Sequence, residues 1–407
     1  MTSRLIWVAI LFLLSSPGFG QERKMSEADF TSAKECGQCH QEIYSQWTQS
    51  MHSQSLTDPL YRAVIDEMIE QTGGTQKAFC LSCHAPVASV AGKLLDLPTP
   101  LDWGAFRGVE AEGVTCDFCH TISGNENLGK NISVGAYVYP RRGTTAIKYG
   151  RHPDADTAAH ETEPSEFLTS TELCAVCHKF KHPMGGAEIQ STYEEWLRGP
   201  YSDRGVRCQD CHMPVFSGTT ALGGKQRQQI HAHTFVGGHS ELLKKAATVT
   251  VRGVASPEGA GSRLSVTATV RNSGAGHAIP TGIPGIREMW LEVEVLDPQG
   301  VRLHQRRFRY GQQLVNRQGE EALPWEAFRI LTDDRIEPEQ SKQNSFEIIL
   351  PGQRTGEVNL QARLFMRLIS EAMTQRLNIP VPDPVLMASA EAKISLNSQG
   401  AESPRSR

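Results

Sequence analysis

The chain has 407 residues, of which 21% are charged and 39% hydrophobic, and its formal net charge is −4. This composition is ordinary for a globular protein of two or three domains. The negative charge argues against nucleic acid as a partner, because nucleic-acid phosphates select basic surfaces.

The N-terminus is typical of a secretory signal peptide. Arg4 supplies the positive charge, Leu5 to Leu14 is an apolar run, and Gly18-Phe19-Gly20 is a small-x-small ending. The run is too short to span a bilayer comfortably. We therefore predict a signal peptide over residues 1–20, a periplasmic or otherwise exported protein, and no integral membrane segment after cleavage. An uncleaved anchor is the alternative.

Five copies of Cys-x-x-Cys-His follow. They are Cys36-Cys39-His40, Cys80-Cys83-His84, Cys116-Cys119-His120, Cys174-Cys177-His178 and Cys208-Cys211-His212. This spacing is the attachment signature of a c-type haem, with two thioether-forming cysteines and an axial histidine. Structural zinc is the alternative, but it gives no reason for a histidine directly after each second cysteine. The motifs use all ten cysteines, which leaves none for a disulfide. We predict five covalently bound haem c groups.

Residues 21–247 are predicted to form the haem-binding domain. Haem is a large apolar disc that replaces much of an ordinary side-chain core, so we expect a mostly α and irregular domain with short helices and few strands. The apolar spacing predicts helices over 60–71, 192–197 and 241–247.

The pattern changes to period-two alternation over residues 248–397. Leu264, Val266, Ala268 and Val270 share one face of such a stretch, and 291–295, 358–366 and 390–396 repeat the pattern. Several half-buried strands separated by turns predict an antiparallel β-sandwich of immunoglobulin-like type. Residues 398–407 are predicted to be a disordered tail.

The histidines outside the motifs are candidates for the second axial position of each iron. His52 lies 12 residues after His40, about 18 Å along one helix, so we expect it to bind a different haem. His231, His233 and His239 follow the last motif. His277 lies in a Gly/Pro-rich loop between two strands, from which it could reach a haem.

The chain resembles the cytochrome c-554 family of multihaem c-type cytochromes over about residues 35–240. The resemblance rests on Trp47-Thr48-Gln49-Ser50-Met51-His52, on Gly113 to His120, on Leu173 to His178, on Thr192 to Trp196 and on Gly205 to Pro214. The β-domain is similar to an extension of larger relatives. The resemblance implies mostly bis-His haems in close pairs, with distal ligands at His52, His160, His233 and His277. His152 is the rival of His160, and the fifth ligand is His239 or His182.

The resemblance implies an electron carrier between redox proteins, such as other cytochromes or a quinol-linked membrane complex, rather than a substrate-converting enzyme. The alternative is an oxidoreductase that acts on a small nitrogen or sulfur oxide at one five-coordinate haem. Pentahaem nitrite reductases place Lys in the catalytic motif, whereas all five motifs here keep His. A structural module with the sandwich as a docking or polymerising surface is a third hypothesis.

Overall fold

The structure is a computed structural model. It describes residues 25–125, 137–138, 147–183, 186–259, 261–350 and 356–396. The predicted signal peptide over 1–20 and the predicted tail over 398–407 lie outside these ranges, so both stay predictions. Among the helices of the described ranges, none is long and apolar enough to cross a membrane.

Short helices carry the five motifs. The α-helices in chain order are α1 (Ala33–Cys36), α2 (Gln41–Thr48), α3 (Pro59–Thr72), α4 (Lys77–His84), α5 (Pro86–Val90), α6 (Cys116–His120), α7 (Glu172–His178), α8 (Thr192–Arg198), α9 (Pro200–Asp203), α10 (Cys208–His212) and α11 (Glu371–Arg376). Helices α4, α6, α7 and α10 end at the motif histidine. In the first motif, α1 ends at Cys36 and His40 directly precedes α2.

Helix α3 shows why the sequence pattern was informative. The Asp58 carboxylate accepts a hydrogen bond from the Tyr61 amide at 2.7 Å, Pro59 occupies the first turn, and Gly73 ends the helix at a φ of 61°. Each is a strong boundary signal. The helix predicted over 60–71 is therefore confirmed, as is the one over 192–197. The third predicted helix differs, because Glu241–Lys245 is a 3₁₀ helix and the next strand already begins at Ala247.

The haem-binding part also contains short strands in pairs. They are β1 (Gly124–Asn125) with β2 (Tyr137–Val138), β3 (Ile147–Gly150) with β4 (Glu161–Pro164), β5 (Phe180–Lys181) with β6 (Glu188–Gln190), and β7 (Val215–Thr219) with β8 (Gln226–His231). The expectation of few strands is wrong, because the described residues of this part contain eight short strands. Pieces of two to six residues are too short to show a period in the sequence.

The C-terminal part is built from antiparallel sheets. Its strands are β9 (Ala247–Glu258), β10 (Gly261–Asn272), β11 (Glu288–Leu296), β12 (Arg302–Tyr310), β13 (Gln312–Val315), β14 (Arg329–Asp333), β15 (Ser341–Leu350), β16 (Glu357–Arg367) and β17 (Val385–Ser395). One sheet has the order β15-β10-β9, a second the order β12-β11-β16-β17, and β13 pairs with β14.

The two larger sheets share one hydrophobic core. On β10, Leu264, Val266, Ala268 and Val270 are fully buried, while Ser265 and Thr267 on the opposite face are not. Alternate residues of β11 and β16 enter the same cluster. The predicted antiparallel β-rich region is confirmed. The immunoglobulin-like topology and the division into 21–247 and 248–397 stay predictions.

Candidate haem sites

Pairs of histidine rings face each other in the haem-binding part. The ring centres of His40 and His160 are 6.4 Å apart, those of His120 and His233 6.2 Å, and those of His212 and His277 6.3 Å, with interplanar angles of 26°, 21° and 17°. Each pair joins one motif histidine to one histidine from elsewhere in the chain.

These separations fit a metal ion between the two rings. A bond from a metal to an imidazole nitrogen is about 2.0 Å, and that nitrogen lies about 1.1 Å from its ring centre by ordinary bond geometry. When two imidazoles bind one metal ion from opposite sides, each ring centre lies about 3.1 Å from the metal, so the two ring centres lie about 6.2 Å apart. The chain thus holds each pair at the spacing of the two axial ligands of one haem iron.

Hydrogen bonds fix which ring nitrogen is available. Nδ1 donates to a backbone carbonyl in His40 (Thr220 O, 2.7 Å), His84 (Ser55 O, 2.7 Å), His120 (Tyr149 O, 2.6 Å), His212 (Val236 O, 2.5 Å), His160 (Glu161 O, 3.1 Å), His233 (His231 O, 3.0 Å) and His277 (Ala278 O, 2.9 Å). A carbonyl can only accept, so Nδ1 carries the proton and Nε2 keeps a free lone pair. This is the tautomer that a metal ligand needs.

Burial favours the neutral form of several histidines in this region. It lowers the pKa of His84, His178 and His233 to about 4, because the charged imidazolium is poorly solvated there. The pKa of His120 and that of His277 are lowered for the same reason. Neutral imidazole is the form that binds metal.

The loop between β10 and β11 carries His277 to the fifth motif. The buried Asn272 side chain donates to the carbonyls of His277 at 2.8 Å and Ile336 at 3.0 Å, and accepts from the Ala275 amide at 3.1 Å. Further along, Thr281 bonds the hydroxyl of Thr192 on α8 at 2.7 Å. The loop is thus fixed at its base by the sheet and at its tip by the haem-binding part.

His52 packs against an aromatic ring. Its ring centre is 4.2 Å from that of Phe235. Burial, together with smaller contributions from His178 and then His84, lowers the pKa of His52 to about 3. His52 is therefore close to the fourth and second motifs, while His40 faces His160.

His182 and His239 have different surroundings. His182 is buried, and its Nε2 lies 2.8 Å from the carbonyl of Trp325 and 3.1 Å from Oε1 of Gln76. That nitrogen is already engaged. His239 is exposed, and burial of part of its ring together with the charge of Arg287 lowers its pKa. In the described part of the chain, neither ring stacks on a motif histidine.

The second motif has an aromatic neighbour that the sequence did not indicate. The ring of Tyr61 on α3 lies parallel to that of His84, with centres 3.7 Å apart and an interplanar angle of 7°. The Tyr61 hydroxyl donates to the carbonyl of Cys80 at 3.4 Å, and burial raises the pKa of that hydroxyl. Tyr61 therefore stacks face to face on this imidazole.

The motifs contact one another through their cysteines. The thiol of Cys36 contacts that of Cys116, Cys83 contacts Cys177, and Cys174 contacts Cys208. Cys119 also acts electrostatically on Cys174 and Cys177. The first motif therefore adjoins the third, the third lies near the fourth, and the fourth adjoins both the second and the fifth.

Comparison with known proteins agrees with this arrangement. The family described as "Cytochrome c554 and c-prime" matches residues 35–121. The crystal structure of a penta-heme cytochrome c552 from Thermochromatium tepidum is similar with a TM-score of 0.67 and 23% identity, and the match covers 90% of this chain and 99% of that one. The chain is similar to multihaem c-type cytochromes. The predicted resemblance is confirmed, and these matches support covalently bound haem c as the cofactor.

Other solved structures cover a smaller share of this chain. The CARDB domain of the PF1109 protein from Pyrococcus furiosus has 12% identity and a TM-score of 0.18, with 37% of this chain and 85% of that chain covered. A putative beta-galactosidase from Bacteroides fragilis has 10% identity and a TM-score of 0.20, with 37% and 17% covered. No curated protein matches the sequence.

The sequence does not indicate the residues whose carbonyls orient the axial imidazoles. The carbonyl that accepts from His40 belongs to Thr220, 180 residues later, and that for His84 belongs to Ser55. A backbone carbonyl carries no side-chain signature. The stacking of Tyr61 on His84 could have been suspected only from its place on the apolar side of α3.

Proposed function

We propose that this cytochrome is an exported electron carrier that holds five haem c groups. The observation that carries the proposal is the set of three imidazole pairs with centres 6.2–6.4 Å apart. Two strong axial nitrogens leave an iron no open position for a substrate, which suits electron transfer. When bound, haem supplies a one-electron redox centre.

The cysteines of each motif attach one haem, and the motif histidine is its proximal ligand. The distal ligands are His160 for the first motif, His233 for the third and His277 for the fifth. His52 serves the fourth motif, because among the neighbouring histidines His178 affects its pKa most strongly. His239 is the remaining candidate for the second motif, since Asp58 acts electrostatically on both His84 and His239.

The contacts between motifs support a continuous path for electrons. The order is first, third, fourth and fifth, with the second beside the fourth. Cys39 of the first motif and Cys211 of the fifth are exposed, whereas the other motif cysteines are less so. Partner proteins therefore dock near the first and fifth motifs. Other cytochromes or a quinol-linked membrane complex in the periplasm fit this role.

The experiment is a mass and spin count on mature protein. We expect residues 1–20 to be absent and five haem additions to be present by intact mass spectrometry. Electron paramagnetic resonance of the oxidised protein should show only low-spin iron. A protein without covalent haem, or one that holds zinc at the motifs, would overturn the proposal.

A second function is favoured by the surroundings of His84. Its ring packs on Tyr61 at 3.7 Å, and no second histidine ring in the described ranges faces it. If this haem is five-coordinate, the cytochrome is an oxidoreductase for a small nitrogen or sulfur oxide. His239→Ala separates the two cases. A new high-spin signal identifies His239 as the ligand, whereas a high-spin signal already present in the wild type that shifts with nitric oxide or cyanide supports the oxidoreductase.

A further inference from the structure

Arg287 is an unpaired cation among the haem-binding histidines. It ends the loop between β10 and β11, and its charge acts on His178, His239 and His277. Within the described residues, no carboxylate lies within ion-pair distance of its guanidinium, and no hydrogen bond holds it. Neighbouring arginines differ, since Arg363 and Arg367 on β16 both pair with glutamates.

Two glycines make room for this guanidinium. A Cβ at Gly282, where φ is +93°, would lie 3.0 Å from Nε of Arg287, and a Cβ at Gly238 would lie 3.4 Å from its Nη1. Any other residue at Gly282 would also strain the backbone. The chain therefore encloses the guanidinium between two backbone segments without giving it an anion.

Arg287 is half-buried, and a charge that is partly removed from water without a partner is costly, so an anion is favoured beside this guanidinium. The planar fork of arginine fits a carboxylate in a bidentate manner. Each bound haem would bring two carboxylates, its propionates, close to its axial histidines. Resting on the haem binding proposed above, we infer that Arg287 is the ion-pair partner of a propionate of one of the haems held by these histidines.

The ion pair has a redox consequence. Taking up one electron converts ferric to ferrous iron and removes one positive charge from the haem. A fixed cation beside the propionate therefore favours the reduced state and raises the reduction potential of that haem.

The test uses the full mature cytochrome with Arg287→Gln, Arg287→Lys and, as a matched control, Arg306→Gln on the exposed face of β12. We expect Arg287→Gln to disfavour reduction of one haem about tenfold, which is about 59 mV for one electron. Arg287→Lys should restore most of that shift, and Arg306→Gln should leave all potentials unchanged. The propionate bending band in resonance Raman spectra should move in both Arg287 variants, which keeps the inference testable if the Gln variant matures poorly.

Two results would overturn the inference. The first is unchanged reduction potentials together with an unchanged propionate band in the Arg287 variants. The second is a wild-type potential that varies with added nitrite or chloride, which would indicate a free anion at Arg287. Failure of the proposed function is distinguishable, because it would appear as fewer than five haems in the wild-type protein.

Discussion

At the scale of single residues, the facing imidazoles are oriented by the backbone. In His40, His120 and His212, and in their partners, Nδ1 donates to a carbonyl, so Nε2 points away with its lone pair free. A carbonyl acceptor fixes both the tautomer and the ring plane. The main chain therefore preorganises the axial positions, and the side chains need no further anchoring groups.

His277→Ala should convert one iron of the five from low-spin to high-spin. The substitution removes the ring that faces His212 at 6.3 Å and leaves that iron with one strong axial ligand. Electron paramagnetic resonance of the oxidised protein is the measurement. His304→Ala is the matched control, because His304 lies on β12 beside Phe346. A spectrum unchanged by His277→Ala would mean that the loop does not supply a ligand.

His182→Gln should leave the spin state of every haem unchanged but alter stability against acid. Nε2 of His182 bonds the Trp325 carbonyl, and a Gln amide can donate in its place. Burial lowers the pKa of His182 below its ordinary value of 6.5. The unfolded chain therefore binds a proton first as the pH falls below about 6.5, and wild-type stability decreases from there down to the folded pKa.

Gln does not titrate, so the variant should lose less stability than the wild type between pH 6.5 and the folded pKa of His182. Urea unfolding at a series of pH values measures this difference. Parallel pH profiles for the two proteins, or a new high-spin signal in the variant, would contradict the structural role given to His182.

At the scale of elements, a loop between two strands connects the β-sheets to the haem-binding part. Its base is fixed by Asn272, whose side chain reaches the carbonyls of His277 and Ile336. Its tip bonds α8 through Thr281, whose hydroxyl donates to Glu195 at 2.8 Å. Since both ends are fixed, the position of His277 depends on the sheet as much as on the haem.

Asn272→Ala should destabilise the protein by about 2–3 kcal/mol, because it removes three hydrogen bonds and leaves buried carbonyls unpaired. It should also broaden the electron paramagnetic resonance signal of the haem to which His277 is the proposed distal ligand. Chemical unfolding and electron paramagnetic resonance are the measurements. Asn316→Ala is the matched control, since Asn316 also makes three hydrogen bonds, but in an exposed turn. Equal losses in both variants would argue against a special role for the loop base.

The same elements show what the sequence could predict. Alternation of Leu264, Val266, Ala268 and Val270 is a local signal, and it indicated a strand that the structure confirms. The motif spacing is local too. The pairing of His40 with His160 is not a local signal, because it depends on how segments 120 residues apart fold together. The pairing of Gly124–Asn125 with Tyr137–Val138 is also not a local signal, and strands of two residues show no periodicity in the sequence.

At the scale of the whole molecule, one hydrophobic cluster joins the two parts of the chain. Val64, Ile65, Met68 and Ile69 of α3 pack with Trp325, Ile369 and Met373. A buried ion pair between Glu195 of α8 and Arg335 lies at a second contact. Breaking a buried pair costs about 3–5 kcal/mol, so separation of the two parts would be costly. We therefore expect them to unfold together.

Trp325→Ala tests this expectation. Trp325 is buried, its Nε1 donates to Oε1 of Gln71 at 2.7 Å, and its carbonyl accepts from Gln76 at 2.8 Å. Removing the ring leaves a cavity between α3 and the β-part, at a cost of about 3–5 kcal/mol. In the wild type, thermal unfolding followed by haem absorbance and by far-ultraviolet circular dichroism should coincide. In Trp325→Ala the two curves should separate, because the contact between the parts is weakened.

Trp290→Ala is the matched control for this separation. Trp290 is equally buried, but it stacks on Phe365 within the four-stranded sheet, with ring centres 5.5 Å apart. Its loss should lower the midpoint temperature without separating the two curves, since the contact to α3 is untouched. Wild-type curves that already differ would show that the cluster at Trp325 does not couple the haem-binding part to the sheets, and the two would then be independent folding units.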